Sequence, residues 1–277
     1  MHTARLLIRA GLSAGLLLTL VGCDDGGGSG GDPTMLGDMG PDAAGVVCDE
    51  SQRRAQGVEG PLRCAGEPVF TEIESAGRRY HIFTYEASHP LADGDAAFPC
   101  ARSQGPTLEA FDVETEACSV AGVRPWHSVT WSDARDACRA IGWQLCTGDE
   151  LMRACGGSRS WRYPYGDAFE TGRCNVREAF LPAGAEFATE APTGQFPNCV
   201  SEDGIFDLTG NLWEWTGDGG SFNDPDARVY QGAGWRTVAE RHRDTDLVCD
   251  AQSALTGFSA PSFASNTVGF RCCRDAP

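Results

Sequence analysis

Residues 204–218 read GIFDLTGNLWEWTGD, with Asp207 and Glu214 seven residues apart on either side of a Thr-Gly-Asn turn. Two carboxylates that converge with the carbonyls of such a turn form a set of hard oxygens. Ca2+ takes hard oxygens, usually about six to eight of them. The plainer reading is that both acids cap turns while Trp213 and Trp215 fill core. For the tryptophans that reading is preferred. For the acids the cation is preferred, because a carboxylate buried beside tryptophan needs a partner. A second segment, GAGWRTVAERHRD at 232–244, carries His242 among Arg241, Arg243 and Asp244, with Asp246 two residues beyond it. A run of mixed charge is ordinarily a solvated face, and that outweighs a catalytic reading of His242. His81 and His89 lie on or near a strand-like stretch, where a satisfied histidine is far commoner than a metal ligand. No HExxH motif occurs.

These residues sit in an acidic, cysteine-rich chain of 277 residues with a formal net charge of −17 and no lysine. That excess of acid repels polyphosphate backbones and argues against nucleic acid as a partner. The start, MHTARLLIRAGLSAGLLLTLVGC, places Arg5 and Arg9 before an apolar run from Ala10 to Val21. The run is short for a membrane span and has the shape of a secretory signal. It ends in Leu20-Val21-Gly22-Cys23, which is similar to the lipobox of bacterial lipoproteins. Cys23 is therefore expected to be the lipid-modified first residue of the mature protein; the alternative is an ordinary cleaved signal with a chance cysteine. The expected location is the bacterial cell envelope, lipid-anchored and extracytoplasmic, at the outer membrane or cell surface. The anchor is the only membrane contact expected. Removing Cys23 from thirteen cysteines leaves an even number without any CxxC pair, which in an exported chain points to as many as six disulfides.

Three regions follow: a lipoprotein signal at 1–22, a Gly/Asp-rich tether at 23–47 and one domain at 48–277. The tether lacks aromatic residues and cannot bury a core; its reach is roughly 25–30 Å. Inside the domain, VTWSDARDACRAIG is the clearest helix. Thr130 and Asp133 form a capping-box pattern, with Ala134, Ala137, Cys138 and Ile141 at helical spacing. LCTGDELMRACGG gives a second helix, capped by Thr147 and Glu150 and ended by Gly156-Gly157. YHIFTYEAS alternates like a strand. The rest is punctuated by Gly, Pro and Asp and reads as short strands and long loops.

The order VTWSDARDAC, LCTGDELMRACGG, YPYGD, RCN, PTGQFPN, GIFDLTGNLWEW, RVYQGAGW and VGFRCC resembles the formylglycine-generating enzyme (sulfatase-modifying factor) family, over roughly residues 68–275. The resemblance implies an α+β, C-type-lectin-like fold that is loop-rich and disulfide-stapled. It implies calcium held by the side chains of Asp207 and Glu214 and the backbone oxygens of Gly210 and Leu212. A second calcium site would use Asn175 and the Val176 carbonyl, with Glu186 beside the position of an expected Asp and the Phe187 carbonyl after it. Active members hold copper(I) between two cysteines and oxidise a substrate cysteine to formylglycine with O2. Soft thiolates suit copper(I). Here Thr237 and His242 stand at the two cysteine positions, so neither copper nor the family's catalysis is expected. The next cysteine, Cys249, matches a structural half-cystine.

The same resemblance pairs Cys138 with Cys272 and Cys155 with Cys249. Position along the chain extends this to Cys146–Cys273, Cys174–Cys199, Cys100–Cys118 and Cys48–Cys64. Two functional readings remain. One is a non-catalytic, calcium-stabilised recognition module whose groove, around Trp235, Arg236, Thr237, Arg241 and His242, takes a peptide, protein or glycan. The other is a formylglycine-generating-type oxidase, or a related metal-dependent oxygenase, with a rearranged site.

Overall fold

Two threonines start the two helices. Thr130 accepts the backbone N–H of Asp133, and the Asp133 carboxylate accepts the N–H of Thr130, which closes a capping box on α1, Trp131–Ala140. Thr147 and Glu150 repeat the device on α2, Gly148–Gly156, where Asp218 adds a carboxylate at the N–H of Gly148. Each helix buries one stripe: Ala134, Ala137 and Cys138 on α1, and Leu151, Ala154 and Cys155 on α2. Gly157, in a left-handed conformation at φ 65°, turns the chain off α2.

The computed structural model describes residues 61–94, 114–176, 190–220, 224–235, 248–249 and 256–277, all within one compact unit, Gly31–Pro277. The leader, the tether and Cys23 lie outside them. Among the described residues no helix is long and apolar enough to cross a membrane.

Among the described residues eight short strands form two four-stranded sheets. The first contains β1 (Phe70–Ser75), β2 (Arg78–Phe83), β3 (Gln144–Leu145) and β8 (Cys272–Asp275), in the order β1-β2-β8-β3. The second contains β4 (Trp213–Gly219), β5 (Arg228–Gln231), β6 (Thr256–Ser259) and β7 (Val268–Phe270), in the order β6-β5-β4-β7. All pairings are antiparallel except β4 with β7. Little of the described chain is regular, in keeping with a C-type-lectin-like fold.

The strand expected in YHIFTYEAS is β2, but its alternation is lost, because Tyr80, His81, Ile82 and Phe83 are all buried. β2 lies inside its sheet between β1 and β8. Strand β4 is central in the other sheet, and its period-2 geometry separates its neighbours. Trp213 and Trp215 face the main core with Trp126, Trp143, Tyr230 and Phe270, while Glu214 faces the opposite way. Both indoles meet Tyr230 edge-on at 5.5 and 5.3 Å, a favourable quadrupole arrangement.

One residue separates β7 from β8, and it is Arg271. The chain changes sheets there, so Arg271 lies between them, with none of its surface exposed.

Among the described residues five disulfides staple the loops. The structure joins Cys138 to Cys272, Cys146 to Cys273, Cys155 to Cys249 and Cys174 to Cys199, the pairs given by the resemblance and the chain order. The fifth is a correction. Cys64 bonds Cys118, with Cα atoms 5.7 Å apart, so neither Cys48–Cys64 nor Cys100–Cys118 forms. Pairing by proximity in sequence fails because residues 62–69 run beside residues 114–119. Leu62 exchanges backbone hydrogen bonds with Glu114 and Glu116, Cys64 N–H reaches the Glu116 carboxylate, and Val69 N–H reaches Ser119. That ladder sets the two sulfurs together. Cys48 and Cys100 lie outside the described residues.

Candidate functional site

The segment Asp207–Glu214 bends through left-handed conformations at three positions: Asp207 (φ 59°), Gly210 (φ 87°) and Asn211 (φ 57°). Asp, Gly and Asn are the residues that tolerate this region. Gly210 has a second reason: a Cβ there would lie 2.6 Å from the carbonyl oxygen of Asn175. The turn therefore needs these residue types whatever it binds.

Both acids are buried, Asp207 at 3% and Glu214 at 4% exposure. Glu214 Oε1 accepts from Nη2 of Arg271 at 2.9 Å and from Nε at 3.1 Å. The same guanidinium also donates to the carbonyls of Phe83 and Phe206, each at 2.9 Å. Asp207 Oδ2 accepts the N–H of Gly194 at 2.7 Å. A third acid, absent from the sequence reading, completes the cluster. Glu86 is wholly buried; its Oε1 accepts the N–H of Leu212 at 2.9 Å and its Oε2 accepts from the Asn211 amide. Its only sequence signal is a charge inside the apolar run HIFTYEAS.

Three carboxyls against one guanidinium leave negative charge in excess. Burial, then the charges of Asp207 and Glu214, raise the Glu86 carboxyl well above the usual range. Burial raises Asp207 to about 6, with Glu214 adding to the rise and the Gly194 N–H and Arg271 opposing it. A divalent cation would supply the missing positive charge. The donors are hard oxygens, and a carboxylate has about four lone-pair sites, so Arg271 and Gly194 leave capacity on both acids. Glu214 also lines a cavity of about 30 Å3 with Leu151, Leu208, Leu212, Gln231 and Gly232, about two water-sized spheres. Carboxylates and turn carbonyls are the donor types that a hard cation takes.

Asn175 and Val176, from the weaker second set, are buried beside this loop. Asn211 donates its N–H to the Asn175 carbonyl at 2.8 Å, and the Asn175 amide donates to Asn211 Oδ1 at 2.9 Å. Glu186 and Phe187 lie outside the described residues.

So do Arg236, Thr237, Arg241 and His242. Trp235, expected in the ligand groove, is buried instead: its ring packs with Leu212, its N–H bonds the Asn211 carbonyl and its indole N–H the Asn266 carbonyl. It belongs to the support of the Asp207–Glu214 turn. Among the histidines, His81 stacks on Phe70 at 4.4 Å and bonds Glu72 and Arg274, while His89 meets Trp126 edge-on. Cys146, Glu150 and Cys273 also cluster, but both sulfurs are in a disulfide and Glu150 caps α2 beside Arg78. That cluster is not a metal centre.

A disulfide-stapled, lectin-like domain with a buried acid cluster behind a Gly-Asn-Leu-Trp-Glu-Trp turn defines a formylglycine-generating-enzyme-like domain. The chain belongs to that family: residues 91–276 match the sulfatase-modifying factor enzyme 1-like domain. It is similar to inactive C-alpha-formylglycine-generating enzyme 2 of Bos taurus, at 34% identity over 53% of this chain and 49% of that one. The Mus musculus protein of the same name is 30% identical over 74% of this chain and 68% of that one. The chain thus spans about half of the bovine relative and two thirds of the mouse one. PvdO from Pseudomonas aeruginosa superposes with a TM-score of 0.50 at 15% identity, covering 79% of this chain and 100% of that one. That likeness is one of fold.

Proposed function

We propose that this chain is a non-catalytic, calcium-stabilised recognition module held at the bacterial cell envelope by a lipid on Cys23. The observation that carries the reading is the pair of residues at the family's copper positions, Thr237 and His242. Copper(I) in this family needs two thiolates; a hydroxyl and one imidazole do not replace them. No cysteine occurs between Cys199 and Cys249, and Cys249 is tied to Cys155. The two mammalian relatives that are named inactive support the same conclusion. Calcium rests on the excess acid of Glu86, Asp207 and Glu214, and the envelope location on the leader and lipobox.

With the redox pair gone, what the fold retains is a rigid scaffold that presents loops, and the same scaffold serves unrelated functions. The test is direct. Purified protein is incubated with copper, O2 and a Cys-x-Pro-x-Arg peptide, and the peptide mass is read for conversion of thiol to aldehyde. No conversion is expected; aldehyde above an enzyme-free control overturns the non-catalytic reading. Membrane fractionation of Cys23→Ala tests the anchor, which is refuted if the variant stays bound to the same extent.

A further inference from the structure

Strand β1 ends its sheet, so one of its edges has no neighbouring strand. A two-residue turn, Ala76-Gly77, closes β1 onto β2 at the pair Ser75–Arg78, and the Val69 carbonyl accepts the Thr84 N–H at the far end. In an antiparallel pair, alternate residues turn their backbone N–H and C=O groups toward the partner and away from it. Val69, Thr71, Ile73 and Ser75 therefore turn theirs to β2, and Phe70, Glu72 and Glu74 turn theirs outward. Among the described residues nothing bonds those three on that side. The large apolar side chains exposed among the described residues, Val69, Phe70 and Val120, gather at one end of this edge, because the Val69 N–H bonds the carbonyl of Ser119. Phe70 is held there as a fixed platform: His81 stacks on its ring at 4.4 Å, and the Arg274 guanidinium lies 5.5 Å from the ring centre.

We propose that this edge docks an extended basic peptide, which adds to the sheet as an antiparallel fifth strand, sets alternate Arg or Lys residues against Glu74 and Glu72 and lays an apolar residue on Phe70. The inference rests on the recognition reading above and narrows its ligand to a peptide, since a strand edge pairs with a backbone. Charge selects the occupant. Glu72 and Glu74 are exposed, Glu74 has no partner among the described residues, and the chain carries a net charge of −17. A second copy is rejected by the same charges. A symmetric antiparallel pair sets Glu72 against Glu72 and Phe70 against Glu74, and like charges directly opposite are destabilising. Edge glutamates alone would be a guard against such self-pairing. A guarded edge has no use for an exposed apolar end, and that end marks β1 as a docking site.

Purified protein is titrated with the peptide Arg-Thr-Arg-Thr-Leu, with binding read by calorimetry and hydrogen exchange read at the backbone amides. Binding is expected to slow exchange at Phe70, Glu72 and Glu74, and Glu-Thr-Glu-Thr-Leu is expected to bind more weakly by about ten-fold or more. Glu74→Arg, at an exposed position, is expected to weaken the basic peptide by about three-fold or more. Placement of one methyl group separates strand pairing from general attraction to an acidic protein. In this register the nitrogen of the second arginine faces β1 and that of the preceding threonine faces away, so methylating the arginine nitrogen abolishes binding and methylating the threonine nitrogen leaves it. No binding at millimolar peptide, binding without protection of the three amides, or indifference to the methyl position overturns the edge site. So does a peptide-free dimer that protects the same amides, which would make a second copy the occupant. Each of these leaves the non-catalytic reading standing, because the aldehyde assay tests that separately.

Discussion

Replacing Arg271 with methionine tests the physical account of the interior most sharply. The side chain has no exposed surface and donates to Glu214, Phe83 and Phe206. Methionine fills much of the same volume but leaves Glu214 as a buried anion near Asp207 and Glu86. Removing one partner of a buried pair costs about 3–5 kcal/mol, because the remaining charge is desolvated without compensation. The two carbonyls lose donors as well, which adds to that figure rather than opposing it. For a domain of this size each kcal/mol moves the midpoint by about 2–4 °C, so Arg271→Met is expected to melt about 6–20 °C lower.

The assay is denaturant unfolding in chelator, with disulfides intact, on a double-mutant cycle with Glu214→Gln. If the cost is an orphaned charge, neutralising Glu214 in the Arg271→Met background recovers a large part of it, and the cycle gives a coupling of about 2 kcal/mol or more. A loss below about 1 kcal/mol in Arg271→Met, or effects that add within about 0.5 kcal/mol, would refute the reasoning. Arg271 would then be space-filling.

Two further outcomes are expected. The Cys138→Ala/Cys272→Ala pair opens a closure with a sequence separation of 134 residues; in the chain-entropy model this lowers stability by roughly 4–5 kcal/mol, and an unchanged unfolding midpoint would contradict that. His127 is buried, which holds its imidazole below the usual value; Glu190, 3.9 Å away, opposes the shift and Arg124 adds to it. The unfolded chain therefore takes a proton that the folded one refuses, and stability is lost as pH falls below about 6.5, by at most about 1.4 kcal/mol per pH unit. The stability difference between parent and His127→Gln should change across that window; a pH-independent difference would show that His127 does not titrate as argued.

What was legible in the sequence was local. Both capping boxes join residues three apart, so Thr130–Asp133 and Thr147–Glu150 announce their helices within one turn. The tryptophans of Trp213-Glu214-Trp215 were legible as core because so much apolar surface has few other destinations. The partners of Glu214 were not. Arg271 is 57 residues away, and Glu86 lies 126 residues from the Leu212 N–H that it caps. No periodicity marks such pairs; only the return of β2 and β8 to one sheet brings them together. Cys64 and Cys118 were missed for the same reason, since the ladder joining 62–69 to 114–119 carries no turn signal between its halves.

This division between local and long-range order also bears on how firmly different positions of the chain are held. Two described residues, Trp235 and Cys249, bracket the segment that carries Thr237 and His242. At one end Trp235 is buried against Leu212 and bonded to Asn211 and Asn266; at the other Cys249 is bonded to Cys155 on α2, and its N–H reaches the Arg162 carbonyl. Glu86, Asp207, Glu214 and Arg271 sit among buried groups, where a single change orphans charge or a hydrogen-bond partner. Substitution in the acid cluster is therefore expected to have a large effect on stability, and the Gly-Asn-Leu-Trp-Glu-Trp turn beside it is intact.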